Sequence, residues 1–162
     1  MSDLKALEDW VAPLIERLSD RERRQLAATI ARDLRRQQVA NIRAQRNPDG
    51  SAWEPRKQPT RNQRGQIRSK AQARKAGMDM FAKLRTPAKL KARGTPTEAV
   101  VGFVGMAQRI ARVHQFGLED QVSPGGPMYR YPARELLGVT DGQVERVRDL
   151  LVQHLASNIE GK

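Results

Sequence analysis

Apolar residues recur along the first eighteen positions at steps of three and four: Leu4, Leu7, Val11, Leu14 and Leu18. That spacing lays one apolar stripe along a helix and predicts a first helix over residues 3–18. Pro13 stands inside it. Without an amide hydrogen, and with a ring that crowds the preceding turn, it predicts a kink or a split near Ala12. Ser19-Asp20-Arg21-Glu22 reads as a capping box, in which the serine hydroxyl and the glutamate carboxylate satisfy each other's backbone amides. A second, longer helix follows to about Ala44, with Leu26, Ile30 and Leu34 at four-residue steps. Both stripes are read as core packing between helices.

The pattern then breaks. Asn47-Pro48-Asp49-Gly50-Ser51 is a turn signal, and the prolines at 55 and 59 leave no period up to about Ile67, so this stretch is expected to be a loop anchored by Trp53. Residues 68–85 regain helical spacing through Met78, Phe81 and Leu84, until Pro87 ends the run. Leu90–Arg93 and Ala99–Val104, separated by Gly94-Thr95-Pro96, predict a β-hairpin whose second arm is β-branched and apolar. Met106, Ile110 and Val113 return to helical spacing, and Gly117 is a natural C-terminal stop. Residues 118–128 are expected to be a loop. Thr140-Asp141-Gly142-Gln143 is another capping box, with Val139 and Val144 at the positions of a hydrophobic staple. The last helix runs to about Ala156 with Val144, Val147, Leu151 and Leu155 inward. The order is an N-terminal helical pair, a hairpin, a central helix, a short extended segment and a C-terminal helix. That order is α+β rather than an alternating parallel-sheet fold.

At 162 residues and 38% hydrophobic content, the chain is expected to form a single domain over 1–162, with a mobile basic segment at about 46–77. Charge sharpens this picture. The formal net charge is +12, and residues 43–93 account for all of it, with 15 Lys and Arg against three acids. Such a segment has three readings: contact with phosphates without sequence preference, a surface matched to an acidic protein, or a solvated face with no partner. Its candidate contact residues are Arg56, Lys57, Arg61, Arg64, Arg68, Lys70, Arg74 and Lys75. Trp53 and Phe81 are the two aromatics between 43 and 93, too few for the stacking platforms of single-strand readers.

Enzymatic chemistry finds little support. The chain has no cysteine, which removes disulfides, thiol nucleophiles and cysteine–zinc sites. His114 and His154 belong to no metal motif. His114, near Glu119 and Asp120, is better read as a capping or interface residue than as an acid–base catalyst, and His154 as exposed. Gly125-Gly126 lies between prolines and is no phosphate loop, and no serine sits in a nucleophile elbow. The junction of the first two helices lacks the glycine turn usual in a helix-turn-helix. No catalytic, cofactor-binding or metal-ligating residue is therefore assigned, and no cofactor is expected. The acidic N-terminus has no apolar core like that of a signal peptide. The longest apolar run, Ala99–Ala107, is too short to cross a membrane.

Two segments carry a resemblance. One is Gln45-Arg46-Asn47-Pro48-Asp49-Gly50-Ser51-Ala52-Trp53-Glu54-Pro55-Arg56-Lys57. The other begins Arg109-Ile110-Ala111-Arg112-Val113-His114-Gln115-Phe116-Gly117-Leu118 and ends Tyr131-Pro132-Ala133-Arg134-Glu135-Leu136-Leu137-Gly138. Together they resemble the phage virion morphogenesis family, the tail completion proteins of contractile-tailed bacteriophages, over nearly the whole chain. The resemblance implies a fold like that of tail-terminator and neck proteins. It also implies a structural role at the head-proximal end of the tail in virion assembly and head–tail joining, as a homo-oligomeric ring, commonly a hexamer. The implied partners are the tail tube or terminator and neck proteins, with the passing genomic DNA as a further candidate and no membrane. The implied location is the virion, with assembly in the host cytoplasm. His114, Phe116, Gly117, Tyr131 and Arg134 are then candidates for a subunit or tail interface. The alternative is a free-standing, sequence-nonspecific nucleic-acid-binding protein.

Overall fold

The computed structural model describes residues 2–57 and 78–160. Among these the elements are α1 (Ser2–Glu16), α2 (Asp20–Ala44), β1 (Leu90–Gly94), β2 (Ala99–Phe103), α3 (Met106–Phe116), β3 (Glu119–Gln121), β4 (Met128–Arg130) and α4 (Asp141–Glu160). Two two-stranded sheets, β1–β2 and β3–β4, stand among the helices, so the fold is α+β.

The chain divides into two compact units. The first holds residues 1–37, 90–102 and 139–162, and the second holds 38–89 and 103–138. In the first unit Val11, Leu18, Leu26, Ile30, Leu151 and Leu155 form a buried cluster, with Leu14, Leu34, Ala99 and Val147 packed against it. Removing each such side chain from water stabilises the fold by roughly 1.5–3 kcal/mol. The heptad-like spacing of α1, α2 and α4 thus meets in one three-helix core.

Both capping boxes form. The Ser19 amide donates to Glu22 Oε2 at 2.8 Å, and the Glu22 amide returns to Ser19 Oγ at 3.3 Å. The Thr140 amide donates to Gln143 Oε1 at 3.1 Å, and the Gln143 amide to Thr140 Oγ1 at 3.2 Å. Val139 is 71% exposed, however, and makes no staple. Pro13 neither splits nor ends α1, which runs through it. The carbonyl that loses its donor belongs to Asp9, an exposed residue, where water replaces the missing bond. His154 is half-buried rather than exposed, and α4 continues past Ala156 to Glu160.

Asp33 sits within the first unit at 5% exposure. Burial pushes its carboxyl up, but hydrogen bonds from Arg36, Gln37 and Arg146 outweigh that and hold it below the ordinary range. The bond from Arg146 Nε, at 3.4 Å, ties α4 to α2. The hairpin closes through a Thr95–Glu98 turn, with the Thr95 amide donating to the Glu98 carbonyl at 2.8 Å.

In the second unit the described part of the expected third helix, residues 78–85, is a series of turns. Phe81 adopts a left-handed φ of 61°, which no continuous helix can contain. The expected loop at 118–128 is instead the first strand and turn of the β3–β4 hairpin, which continues to Arg130 and pairs Glu119 to Arg130, Asp120 to Tyr129 and Gln121 to Met128.

Gly94 marks where β1 meets α2. A Cβ there would lie 2.2 Å from the backbone nitrogen of Ala28. Backbone cannot rotate away as a side chain can, so Gly94→Ala is expected to lower stability by about 1–3 kcal/mol. Urea denaturation measures this, and an unchanged midpoint would show that the strand does not rest on the helix so closely.

Candidate functional site

The second unit brings the conspicuous sequence segments together. Gln45 ends α2 with a left-handed φ of 57°. The chain then turns through Asn47–Ser51, with the Asn47 amide donating to the Ser51 carbonyl at 2.9 Å and the Gly50 amide to the Asn47 carbonyl at 2.9 Å. Asp49 accepts from both the hydroxyl and the amide of Ser51, which hold its carboxyl below the ordinary range. Arg46 and Ala52 pair across the turn. Trp53 is delivered to the interior at 5% exposure, its amide bonded to the Gln45 carbonyl at 3.0 Å.

Glutamine side chains fix the irregular segments. Gln45 accepts from the Met80 amide at 2.9 Å and donates to the Met80 carbonyl at 3.0 Å. Gln115 accepts from the amides of Leu136 and Leu137 at 2.8 and 3.0 Å and donates to the Leu137 carbonyl at 2.8 Å. Gln38 donates to the Gly138 carbonyl at 2.7 Å and accepts from its amide at 3.3 Å. In each case one carboxamide satisfies both polar groups of a single residue, as a neighbouring strand would. Asn47 adds a fourth tie, accepting from the Glu135 amide at 2.9 Å. The Pro48 ring packs directly on Gly138.

α3 terminates at Gly117, whose φ of 61° and ψ of 45° form a left-handed cap. A Cβ at this position would also approach the Ala133 nitrogen to 3.1 Å. The close approach lets the Arg134 amide reach the His114 carbonyl at 2.7 Å and the Tyr131 amide reach the Leu118 carbonyl at 3.0 Å.

Around this junction run five rings in edge-to-face contact. Trp53 meets Phe81 at 5.4 Å between centroids, Phe81 meets His114 at 4.6 Å, His114 meets Tyr131 at 4.8 Å, and Tyr131 meets Tyr129 at 5.0 Å. The Lys57 ammonium lies 5.4 Å from the Tyr129 ring centre. A cleft of about 450 Å³ opens beside them, walled by Glu54–Lys57, Met80, Phe81, His114, Tyr129, Tyr131 and Arg134.

Arg134, 5% exposed, braces the cleft wall. Its Nε donates to the Glu54 carbonyl at 2.9 Å and one terminal nitrogen to the Pro55 carbonyl at 3.2 Å. The other lies 3.5 Å from His114 Nδ1. A guanidinium can only donate, so the contact suits a neutral His114 that accepts at Nδ1. Burial first, and the Arg134 charge second, lower its pKa from 6.5 to about 4. An imidazole so held does not pick up protons near neutrality, and its ring nitrogen faces an arginine rather than a nucleophile. Arg109 of α3 forms a two-point ion pair with Asp120, which holds that carboxyl low.

Residues 2–156 match the profile of the phage virion morphogenesis family. The chain belongs to that family. It is 38% identical over 157 residues to tail completion protein S of Escherichia phage P2, an alignment that covers 96% of this chain and 99% of the P2 protein. No solved structure matches. The segments on which the virion morphogenesis resemblance was recognised are the ones that converge here. Asn47 and Pro48 touch the 135–138 segment, and Arg134 carries both the 54–55 backbone and His114.

Of the interface candidates, the fold joins His114, Gly117, Tyr131 and Arg134 in direct contact, while Phe116 projects at 66% exposure on a neighbouring face. Of the cationic candidates, Arg56 and Lys57 line the cleft, and Arg61, Arg64, Arg68, Lys70, Arg74 and Lys75 lie outside the described residues. The sequence reading missed Gln38, Gln45 and Gln115, because an amide that bonds backbone follows no periodicity. It also missed Tyr129, which extends the ring series.

Two outcomes follow for this virion morphogenesis protein. Replacing Gln115 by Leu leaves two amides and a carbonyl unpaired, and an expected cost of about 1–3 kcal/mol should appear as a lower urea midpoint; an unchanged midpoint would count against the clamp. The second concerns acid. Because His114 titrates at about 4 when folded and 6.5 when free, the unfolded chain takes up the proton first. Its contribution is therefore complete above pH 6.5 and is lost progressively as pH falls toward 4. Melting temperature should fall more between pH 7 and 4.5 in the native protein than in His114→Asn, and superimposable profiles would contradict the assignment.

Proposed function

We propose that this protein is a non-enzymatic tail completion protein that acts at the head-proximal end of a phage tail and makes it competent to join a head. The observation that carries the reading is the end-to-end 38% identity with the P2 tail completion protein. It gains support from the convergence of the resembling segments on one braced region of the fold. In this reading the protein assembles as a ring, six copies being the common count for such fittings, and it resides in the virion after assembly in the host cytoplasm. Its partners are tail tube or terminator proteins and neck proteins. The cationic segment 43–93 faces either the passing genome or an acidic tail surface. Among the described residues, no helix is long and apolar enough to cross a membrane.

The reading favours a fitting over a catalyst because the half-buried histidine is held neutral between rings and a guanidinium. Deleting the gene from its phage is expected to leave DNA-filled heads and full-length tails unjoined in electron micrographs, with joining restored by the protein supplied in trans. Joined virions at normal yield without it would overturn the proposal.

A further inference from the structure

The cleft beside the ring series continues past its own walls. A second trough of about 430 Å³ shares Glu54, Tyr129, Tyr131 and Pro132 with it and reaches Phe116 and Arg130. The two hollows share a wall, and cations line both, Arg56 and Lys57 the first and Arg130 the second. Arg134 is buried, with three of its donors directed at the Glu54 and Pro55 carbonyls and at His114. The recognising charges are therefore the exposed Lys57 and Arg130, with the carboxylate of Glu54 on the same lining.

We propose that this trough receives a short acidic, aromatic-bearing peptide segment of a partner protein, which rests on the provisional tail-completion reading and names the partner chemistry of its site. Charge complementarity selects an acidic occupant. Size and ring geometry select peptide over nucleic acid. A trough of this volume admits side chains, whereas a duplex presents its phosphates to an open face. Single strands bind by laying bases flat on ring faces. Here Phe81, His114, Tyr131 and Tyr129 stand at 66–85° to one another, so each contact places one ring's edge on its neighbour's face. The Lys57 ammonium lies 5.4 Å from the centre of the Tyr129 ring. Carboxylates meet the rim cations, and an apolar side chain of the peptide packs on the tyrosines between them, as aromatic and arginine anchors do at interface centres.

The test titrates the full-length protein calorimetrically with three probes: a blocked acidic pentapeptide containing one phenylalanine, its analogue with every carboxylate turned to amide, and an oligothymidylate of equal charge. The acidic peptide should bind about tenfold or more tighter than the amide analogue and the oligothymidylate. Lys57→Glu and Tyr129→Ala should each weaken it by about fivefold or more, whereas Tyr129→Phe, which keeps the ring under the ammonium, should not. Equal binding of charged and neutral peptides, indifference to Lys57→Glu, or preference for the oligothymidylate would overturn the proposal. That failure would leave the unjoined-particle phenotype untouched, so the two readings fall separately.

Discussion

A peptide group taken out of water must be hydrogen-bonded, and much of the second unit is neither helix nor strand. Carboxamides solve the problem there. Gln45, Gln115 and Gln38 each offer one acceptor and one donor to a single backbone residue, and so replace a missing strand. An unpaired buried amide or carbonyl costs about 1–3 kcal/mol, so these few side chains decide whether residues 80 and 136–138 hold one conformation. Beside the clamped Met80, Phe81 takes a left-handed backbone and sets its ring against Trp53 and His114.

What the clamps hold in place is the lining of the cleft. Arg134 is engaged by two carbonyls and by His114, and the five rings meet edge to face. Rigid aromatic and cationic groups at a cleft are suited to recognition, because little side-chain freedom remains to be lost on binding. The proposed tail-completion role calls for the same property, since a structural component presents one shape to its partner.

Local rules were read well from sequence where the physics is local. Ser19 with Glu22 and Thr140 with Gln143 form because cap and partner lie three residues apart. Gly117 ends α3 because a left-handed residue is needed there, and Trp53 is buried because the turn before it is encoded in five consecutive residues. The apolar stripes of α2 and α4 likewise point inward. Long-range ties were not legible. Met78, Phe81 and Leu84 fit a helical spacing, yet Gln45, 35 residues earlier, pulls the Met80 backbone out of that path. Glu119–Gln121 and Met128–Arg130 pair as strands although they are short and mostly polar, with no alternation to betray them. Pro13 was given its usual penalty, but at an exposed turn the lost bond passes to solvent. The resembling segments were recognised as a pattern. That Asn47 bonds the 135 amide, and that Arg134 bonds the 54 and 55 carbonyls, required coordinates.

The account depends on irregular backbone being held as firmly as regular structure. Native-state hydrogen exchange on the amides of Met80, Leu136 and Leu137 measures this directly. Protection comparable to that of the α3 amides is the expected result. Exchange at the rate of an unstructured peptide, with α3 still protected, would mean that the glutamine side chains do not hold these segments, and the braced recognition surface built upon them would not exist.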